Sequence, residues 1–314
     1  MRNPSRREFL AAGAAIGASA AFAAHLPAAD DKQDRGIGLG FSLYGMRSLD
    51  TGDALKTCAE IGYDCVELPV MVDWPWDSAT LSKPQRREIR GQLDERGLRL
   101  SAVMENLPAV VDDARHRANL DRLKAAAEAA HDVSPDGGHI IETVLGGRPA
   151  QWEQTREAMA KRVADWAKVG EETKTVIAVK AHVGGAMHLP EHPVWLIEQI
   201  DSPWLRGAYD FSHFTLREVD MNESIRTLVP QSVFIHVKDR QGDASKFQFL
   251  LPGEGDTDYV ALLKGVAAAG YRGDVVVEVS GQIHNKPGYD AKAAARKSYK
   301  PLAAAFHTAG ISRH

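Results

Sequence analysis

Carboxylates, imidazoles and lysines stand at the ends of several apolar segments of this 314-residue sequence. Ionisable groups are rare in such segments, because burying an unpaired charge is costly. Oxygen and imidazole donors that meet in one place are the ligands of divalent cations such as Mn²⁺, Mg²⁺, Co²⁺ and Zn²⁺. The set therefore predicts a divalent metal ion as cofactor. Its members are Glu67, Glu105, Glu142, Lys180, His182, Asp210, His213, His236, Lys238 and Glu278.

The elements that must position these groups alternate between short apolar runs and longer amphipathic stretches. The apolar runs are nearly continuous, which is typical of strands buried on both faces of a parallel sheet. The stretches between them have helical periodicity, and several end at a glycine such as Gly62 or Gly97. Eight strands alternating with helices favour an α/β fold, a (β/α)8 TIM barrel, over an open doubly wound sheet. The runs begin near Gly38, Asp64, Arg99, His139, Thr175, Leu205, Ser232 and Asp274.

The chain is predicted to form one domain over residues 37–310, because no linker or composition break divides it. Residues 286–310 add a final amphipathic helix that should close the outer ring of the barrel. A dinucleotide-binding fold is disfavoured, because Gly38 and Gly40 are not followed by the third glycine of a phosphate-binding loop. A barrel places its site at the carboxyl ends of its strands, which is where the ionisable set falls.

The first 30 residues have the parts of an export signal: a basic start, a short apolar run and small residues before a cleavage site. Arg6 and Arg7 are adjacent, and with the alanine-rich run after them they resemble a twin-arginine signal peptide, followed by a short linker. The run is shorter than the roughly 20 residues that cross a bilayer. We expect cleavage after Ala23, export to the periplasm or extracellular space, and no stable membrane span in the mature chain. An uncleaved N-terminal anchor is the alternative.

Composition and charge narrow the classes of function. A hydrophobic fraction of 44% is enough for a sizeable core. The formal net charge is −4, and removal of a signal segment with net charge +2 takes it to −6. No nucleic-acid partner is expected, because nucleic-acid binding depends on Lys and Arg that neutralise phosphates. Cys58 and Cys65 are too few for a disulfide scaffold and are expected to be buried thiols.

Several motifs, taken in order, resemble the xylose isomerase-like barrels, which include sugar-phosphate isomerases and epimerases and barrels of the apurinic-endonuclease type. The resemblance spans roughly residues 37–310. Each motif is short, and their order and spacing together make the resemblance specific. The motifs are Glu67 after Ile61-Gly62-Tyr63, Asp210-Phe211-Ser212-His213, His236-Val237-Lys238-Asp239, the loop 253–259, and residues 270–273 leading to Glu278.

The resemblance implies a metal site built from the last four strands of the barrel. In sugar epimerases of that family, a Glu, an Asp, a His and a Glu on strands 5 to 8 hold the ion. By position, Asp210, His236 and Glu278 match three of these ligands.

The fourth ligand position departs from the family pattern. Where the family usually has Glu-x-His at the end of strand 5, this sequence has Lys180-Ala181-His182. Because an ammonium repels a cation, we expect Glu142 on the neighbouring strand to supply the missing carboxylate. A salt bridge between Glu142 and Lys180 that replaces the metal altogether is the alternative.

The chemistry that this set supports is proton transfer next to a carbonyl. A divalent ion polarises the carbonyl of a sugar, and the neighbouring C–H becomes acidic enough for a positioned base. Glu278 is one candidate base, Lys180 is another if burial and the metal's charge lower its pKa, and His182 is a further acid/base candidate. Reprotonation gives isomerisation or epimerisation, and loss of a β-substituent gives elimination. A lysine in place of one glutamate favours lyase or dehydratase chemistry.

Five further residues are candidate substrate contacts: His213, Lys238, Arg240, Glu67 and Trp74. Trp74 is proposed as a sugar-stacking wall, since aromatic faces suit the apolar faces of sugars. The alternatives are that Lys238 and Arg240 balance neighbouring aspartates, that Trp74 packs on a partner subunit, and that Glu67, like Glu105, supports the residues of the site without touching substrate. His236 would be a satisfied core histidine if it is not a ligand.

The favoured function is an exported, metal-dependent sugar isomerase, epimerase or lyase that acts on a free or oxidised sugar or glycoside. Phosphorylated intermediates are disfavoured by an exported location. The alternative is a non-catalytic, metal-free carbohydrate-binding barrel in which Lys180 replaces the cation. The resemblance also implies a homo-oligomer. Endonuclease activity is disfavoured, because strands 2 and 3 end at Glu67 and Glu105 rather than at histidines.

Overall fold

Eight parallel strands form a closed barrel in the computed structural model, which describes residues 36–137 and 139–314. The predicted signal segment, residues 1–30, lies outside the described residues. The predicted (β/α)8 barrel is confirmed, and all eight predicted strands are present. The barrel strands are β1 (Gly38–Ser42), β2 (Cys65–Pro69), β3 (Arg99–Met104), β4 (Ile140–Val144), β5 (Val176–Lys180), β6 (Leu205–Tyr209), β7 (Ser232–Val237) and β10 (Asp274–Val277).

Helices follow the strands and form the outer layer. Asp50 begins the first of them by accepting a hydrogen bond from the Asp53 amide at 2.8 Å. Gly62 and Gly97 end the first two in the left-handed conformation, with φ of 101° and 64°. The helices are α1 (Thr51–Ile61), α2 (Lys83–Arg96), α3 (Asp113–Val133), α4 (Trp152–Thr173), α5 (Glu191–Ile200), α6 (Phe211–Thr215), α7 (Met221–Leu228), α8 (Tyr259–Ala268), α9 (Gly281–His284) and α10 (Ala291–Ala309).

The barrel closes where β1 pairs with both β2 and β10. Gly38 is in register with Asp274, and Gly40 is in register with Cys65. The chain end supports this seam, because the Ile37 amide donates to the Ser312 carbonyl at 2.9 Å. The predicted closing helix is confirmed as α10, which begins five residues later than predicted, where the Asp290 side chain caps it.

A layer of small and apolar side chains fills the lower interior of the barrel. Five of its members surround the ring of Phe234, which is 1% exposed. Gly40 belongs to this layer, because a Cβ there would lie 2.6 Å from Cys65 Sγ. Successive layers of side chains alternate along the strands of such barrels, so this layer fixes which residues face the interior above it. The cluster contains Cys65, Ala102, Ala178, Ala208, Phe234 and Val276.

An antiparallel hairpin follows β7 and was not among the predicted elements. It consists of β8 (Asp239–Asp243) and β9 (Lys246–Leu250), with Asp239 opposite Leu250. β8 has no apolar side chain, and in β9 polar and apolar residues alternate before Leu250, so neither strand has the continuous apolar run by which buried strands are recognised. The Asp239 carboxylate accepts hydrogen bonds from the amides of Gly253 and Gly255, and this ties the loop 253–259 to the hairpin.

Both cysteines are buried free thiols, as predicted. Among the described helices, none has the length and apolar character needed to cross a bilayer.

Replacing Phe234 with Ala is expected to lower the free energy of unfolding by about 3–5 kcal/mol, because small neighbours cannot fill the space that the ring leaves. Urea denaturation measures the change. Phe247→Ala, at a half-buried position on the hairpin, is the matched control and should cost less. Equal losses for the two variants would show that the Phe234 layer does not organise the barrel.

Candidate active site

Two residues beyond the apolar layer, six strands carry an ionisable side chain into the mouth of the barrel. The spacing follows from strand geometry, because residues i and i+2 face the same side. Five of the six are buried, and Glu278 is partly buried, with its side chain 13% exposed. On each strand, the residue of the apolar layer and the ionisable residue two positions later are Cys65 and Glu67, Ile140 and Glu142, Ala178 and Lys180, Ala208 and Asp210, Phe234 and His236, and Val276 and Glu278.

The ammonium group of Lys180 lies at the centre of this mouth. Its Nζ is 2.8 Å from His236 Nδ1, 3.3 Å from Glu278 Oε1 and 3.0 Å from Glu142 Oε1. The side chain is 2% exposed. One ammonium therefore contacts three of the four side chains that were predicted to hold a metal ion.

The contacts of His236 define which ring nitrogen carries its proton. An ammonium has donors and no acceptor, so Nδ1 of His236 must accept from Lys180. The other nitrogen, Nε2, lies 3.0 Å from Glu67 Oε2 and donates to it. Glu67 is fully buried beneath His236, so it orients the imidazole and does not reach the substrate cavity. Of the two roles that the sequence offers for Glu67, orienting another site residue or contacting substrate, this geometry agrees with the first.

A second ammonium, that of Lys238, joins the remaining two carboxylates. Lys238 Nζ donates to Asp210 Oδ2 and to Glu278 Oε2. Asp210 also accepts from the Ser212 amide at 3.1 Å and the Ser212 hydroxyl at 2.6 Å. Its other neighbour is His213, whose Nε2 lies 3.4 Å away. The carboxylate of Asp210, directly after β6, is thus surrounded by hydrogen-bond donors and cations of the chain itself.

These contacts shift the pKa values of the carboxylates in opposite directions. Burial raises the pKa of Glu278, but Lys180 and Lys238 outweigh it and hold that pKa well below its usual range. Burial likewise opposes Lys238 at Asp210, and the pKa of Asp210 is lowered. At Glu142 burial prevails over Lys180, and the pKa is raised.

Lys180 is a charged donor in this setting and not a neutral amine. Burial lowers the pKa of Lys180, but Glu142, Glu278, Asp210 and Glu67 outweigh it and hold the pKa above its ordinary value. The prediction that burial makes Lys180 a proton-abstracting base is therefore wrong. The residue was placed correctly at the site, but the number of carboxylates around it was not visible from the spacing.

Three buried carboxylate oxygens have no hydrogen-bond partner among the described residues: Glu67 Oε1 and both oxygens of Glu142. Lys180 approaches Glu142 Oε1 to 3.0 Å without the direction of a hydrogen bond. Four carboxylates and two ammonium groups share this mouth, so negative charge is in excess when His236 is neutral.

A cavity of about 350 Å³ opens above these groups, within the size range of small-molecule sites. Glu278 is the one carboxylate in its wall among the described residues. Burial lowers the pKa of His182 to about 2, with His213 and Lys180 adding to the effect, and burial lowers the pKa of His213 to about 4. Both imidazoles are therefore neutral at pH 7. The wall consists of Tyr44, Asn106, Pro108, Val144, Gly146, Lys180, His182, His213, Lys238, Phe249, Glu278, Ser280 and Gly281.

Aromatic side chains that carry no charge complete the cavity and escaped sequence reasoning. Phe249 of the hairpin lies over Lys238, with Nζ 4.9 Å from the ring centre. Tyr44 comes just after the end of β1, as the ionisable residues come at the ends of their strands. This position in the sequence could have identified it as a cavity residue. Trp74 is not in the wall; it stacks on Tyr44 with ring centres 4.7 Å apart and supports it from behind.

Two other predicted residues lie away from the cavity. Arg240 bonds to Asp256 and Thr215 at a separate surface hollow, so its predicted contact with substrate in this cavity is wrong. Glu105 accepts from Arg122 of α3 and is not in the cavity wall.

Two groups of three residues could each hold a divalent ion, because the donor atoms within each group lie within 4.8 Å of one another. Their oxygen and imidazole donors suit such an ion. They divide the predicted ligand set between them. Lys180 and Lys238 stand among the same atoms, so the predicted four-ligand set does not fit an ion while Lys180 keeps its contacts. The groups are Glu67, Glu142 and His236, and Asp210, His213 and Glu278.

Comparison with known proteins gives one family and several enzymes. The family profile described as "Xylose isomerase-like TIM barrel" matches residues 55–301. Inosose dehydratase from Clostridium tetani is 22% identical over 167 residues, which are 48% of this chain and 55% of the relative. The match thus spans about half the length of that curated relative.

Two solved structures share the fold. The IOLI protein with a bound zinc atom has a TM-score of 0.73 at 16% identity, over 87% of this chain and 99% of that one. The 3-keto-D-glucoside 4-epimerase YcjR from E. coli has a TM-score of 0.68 at 18% identity, over 85% and 99%. The relatives are thus epimerases and dehydratases, and the zinc-bound structure together with the two donor groups suggests a divalent metal.

Lys238→Met is expected to lower the free energy of unfolding by about 3–5 kcal/mol, because it leaves the buried carboxylate of Asp210 without its cation and takes one of two cations from Glu278. The pKa values of Asp210 and Glu278 are lowered in the folded state, so this stabilisation is present at pH 7 and is lost at low pH. The difference from wild type should therefore shrink as the pH falls below about 4, the ordinary pKa of a carboxyl group, toward the lowered folded-state values.

Urea denaturation at several pH values tests this, with the exposed Lys246→Met as the matched control. A loss that is the same size at every pH would contradict the ionic origin.

Proposed function

This chain belongs to the xylose isomerase-like TIM barrel family, and we propose that it is an enzyme that removes a proton from the carbon next to a carbonyl group of a sugar or oxidised sugar. One observation carries this proposal: two ammonium groups and one carboxylate meet at the floor of the same cavity. The ammonium groups can stabilise the negative charge that develops on the carbonyl oxygen, and the carboxylate can accept the proton from the neighbouring carbon.

Glu278 is the proposed base. It is the carboxylate that the cavity exposes, and it is ionised at pH 7 because Lys180 and Lys238 lower its pKa. In the step, the C–H bond breaks, its electron pair forms the C=C bond of an enolate, and the proton goes to a Glu278 oxygen. The negative charge on the former carbonyl oxygen draws the lysines away from Glu278, which makes that carboxylate a better proton acceptor at the moment of transfer.

His182 is the proposed hydrogen-bond donor to the oxygen that leaves. Its Nδ1 accepts from the Gly184 amide at 3.1 Å, so the proton of the neutral ring is on Nε2. Because burial keeps the pKa of His182 near 2, the ring acts as a hydrogen-bond donor and not as a resident cation. Lys238 supplies a further donor for substrate hydroxyl groups, whereas the one proton of the neutral His213 ring is on Nε2, which faces Asp210.

Dehydration is favoured over epimerisation. Inversion of a carbon needs proton-transfer groups on two faces, and the cavity wall contains one carboxylate, Glu278, among the described residues. Loss of a β-hydroxyl as water needs one proton-transfer group and one donor: the proton that Glu278 takes from the carbon is passed to the departing hydroxyl, whose C–O bond breaks, while His182 donates a hydrogen bond to that oxygen. The relatives include an inosose dehydratase, which agrees with this class.

The reaction requires positive charge at the carbonyl oxygen. A divalent ion, Mn²⁺, Mg²⁺, Co²⁺ or Zn²⁺, is the source expected from the resemblance, and when bound it would polarise the carbonyl as a Lewis acid. Lys180 and Lys238 are the cations that the chain itself brings to the cavity.

Glu278→Gln is expected to reduce proton exchange at least about 100-fold, because it removes the base and keeps the shape of the side chain. Exchange is measured by NMR in D₂O across a panel of keto-sugars and 3-keto-glycosides. Loss of water from the substrate indicates a dehydratase, and exchange without net loss indicates an isomerase or epimerase.

The exposed Glu191→Gln on α5 is the matched control and should exchange like wild type. Sugar binding without exchange by wild type would overturn the enzymatic proposal in favour of a carbohydrate-binding barrel.

We also propose that residues 1–30 export the chain through a twin-arginine system, which places the substrate outside the cytoplasm. Replacing Arg6 and Arg7 with Lys should keep the protein in the cytoplasmic fraction, and wild type should begin after Ala23 in the periplasm. Cell fractionation with N-terminal sequencing measures both. An uncleaved N-terminus in the membrane fraction would support the anchor instead.

A further inference from the structure

We propose that the ammonium group of Lys180 is a built-in replacement for the divalent cation expected at this barrel mouth, so that the chain works without a metal ion. The role of that ammonium at the substrate's carbonyl rests on the proposed function. The replacement of the cation does not, because it follows from the contacts of Lys180 alone.

The first support is the number and origin of those contacts. Lys180 Nζ donates hydrogen bonds to His236 Nδ1 and Glu278 Oε1 and forms an ion pair with Glu142 Oε1. They come from three different strands and lie 2.8–3.3 Å from one atom. A single positive atom surrounded by an imidazole nitrogen and carboxylate oxygens is the arrangement that a metal ion would otherwise have.

The second support is that Lys180 and a metal compete for the same lone pair. Nε2 of His236 donates its proton to Glu67, so Nδ1 is the nitrogen free to bind a cation. That lone pair is directed at Lys180, 2.8 Å away. An ion at this position would displace the ammonium and leave it buried beside a second positive charge, which costs several kcal/mol at such distances.

The third support is that the predicted ligand beside Lys238 is already satisfied. Asp210 accepts from Lys238, from the Ser212 amide and from the Ser212 hydroxyl. Glu278 accepts from both lysines. Neither carboxylate depends on an ion for its stability in the barrel.

The fourth support is charge. A glutamate with a bound divalent ion carries one net positive charge, and so does a lysine. The change from Glu to Lys at the strand-5 position therefore leaves the total charge of the mouth as it would be with metal present. The carboxylates need this charge, because buried anions without a cation are strongly destabilising.

The replacement also suits the chemistry. Lys180 and Lys238 hold the two oxygens of Glu278, one each, and both ammonium groups are in the cavity wall. When the carbonyl oxygen of a substrate becomes negative, these donors are already in place and need no reorganisation.

The test begins with wild-type protein purified without chelators. Plasma emission spectrometry should find far less than one equivalent of any divalent metal. Neither EDTA nor added Mn²⁺ or Zn²⁺ should change the Tm or the rate of proton exchange. One tightly held equivalent of metal, or a Tm that falls with EDTA, would overturn the inference.

The second measurement is a gain of function. Lys180→Glu restores a carboxylate among Glu142, His236 and Glu278, so it should bind Mn²⁺ or Zn²⁺ at one equivalent by titration calorimetry. Its Tm should rise by about 5 °C at a metal concentration a hundred times the Kd. Lys180→Met, which removes the charge without adding a ligand, and the exposed Lys246→Glu should show neither effect.

The outcomes separate the two proposals. Metal binding by Lys180→Glu together with a metal-free wild type establishes the replacement, even if no sugar in the panel exchanges, in which case the proposed function alone fails. Should Lys180→Glu not fold, the wild-type metal content and its response to EDTA still decide. Exchange that requires added Mn²⁺ would overturn the replacement and leave the proposed function standing.

Discussion

The ammonium group of Lys180 touches an imidazole and two carboxylates that reach it from different strands, and each of these side chains depends on that contact. Buried anions repel one another and lose the solvation that water would give, so a mouth with four carboxylates is stable only around fixed positive charge. Lys180 and Lys238 supply it. The tautomer of His236 and the low pKa of Glu278 follow from the same two cations.

The barrel makes this arrangement possible by separating an apolar layer from a polar one. Beneath the ionic mouth, Phe234 and its small neighbours exclude water from the interior. Above it, Phe249 of the hairpin covers Lys238, and its amide is held by Gln282 at 2.8 Å. Both boundaries keep the local dielectric low, which strengthens every ionic contact between them. The same boundaries raise the cost of losing any one partner.

Sequence reasoning recovers the fold and the residues at the strand ends, because both depend on local signals. Buried parallel strands are continuous apolar runs, and an ionisable residue at the end of such a run is conspicuous. The contacts across the barrel depend on closure and register, which no local pattern records. Hence the sequence locates Lys180 without the carboxylates that hold its charge, and it leaves open whether Glu67 meets substrate or, as its contact with His236 indicates, orients that ring. The hairpin that carries Phe249 lacks a continuous apolar run, because β8 is polar and β9 alternates.

A lysine and a metal ion with its glutamate carry the same charge but recognise oxygen differently. An ion chelates a carbonyl and a neighbouring hydroxyl together, whereas each ammonium hydrogen donates to one oxygen along its own direction. A single lysine directed at a sugar would therefore contact it through one oxygen, not through a chelated pair. With Lys238 on the other side of Glu278, the mouth again offers two positive groups to two neighbouring oxygens. Charge and two-point contact are both retained, and what is lost is the ability of a metal to exchange its ligands.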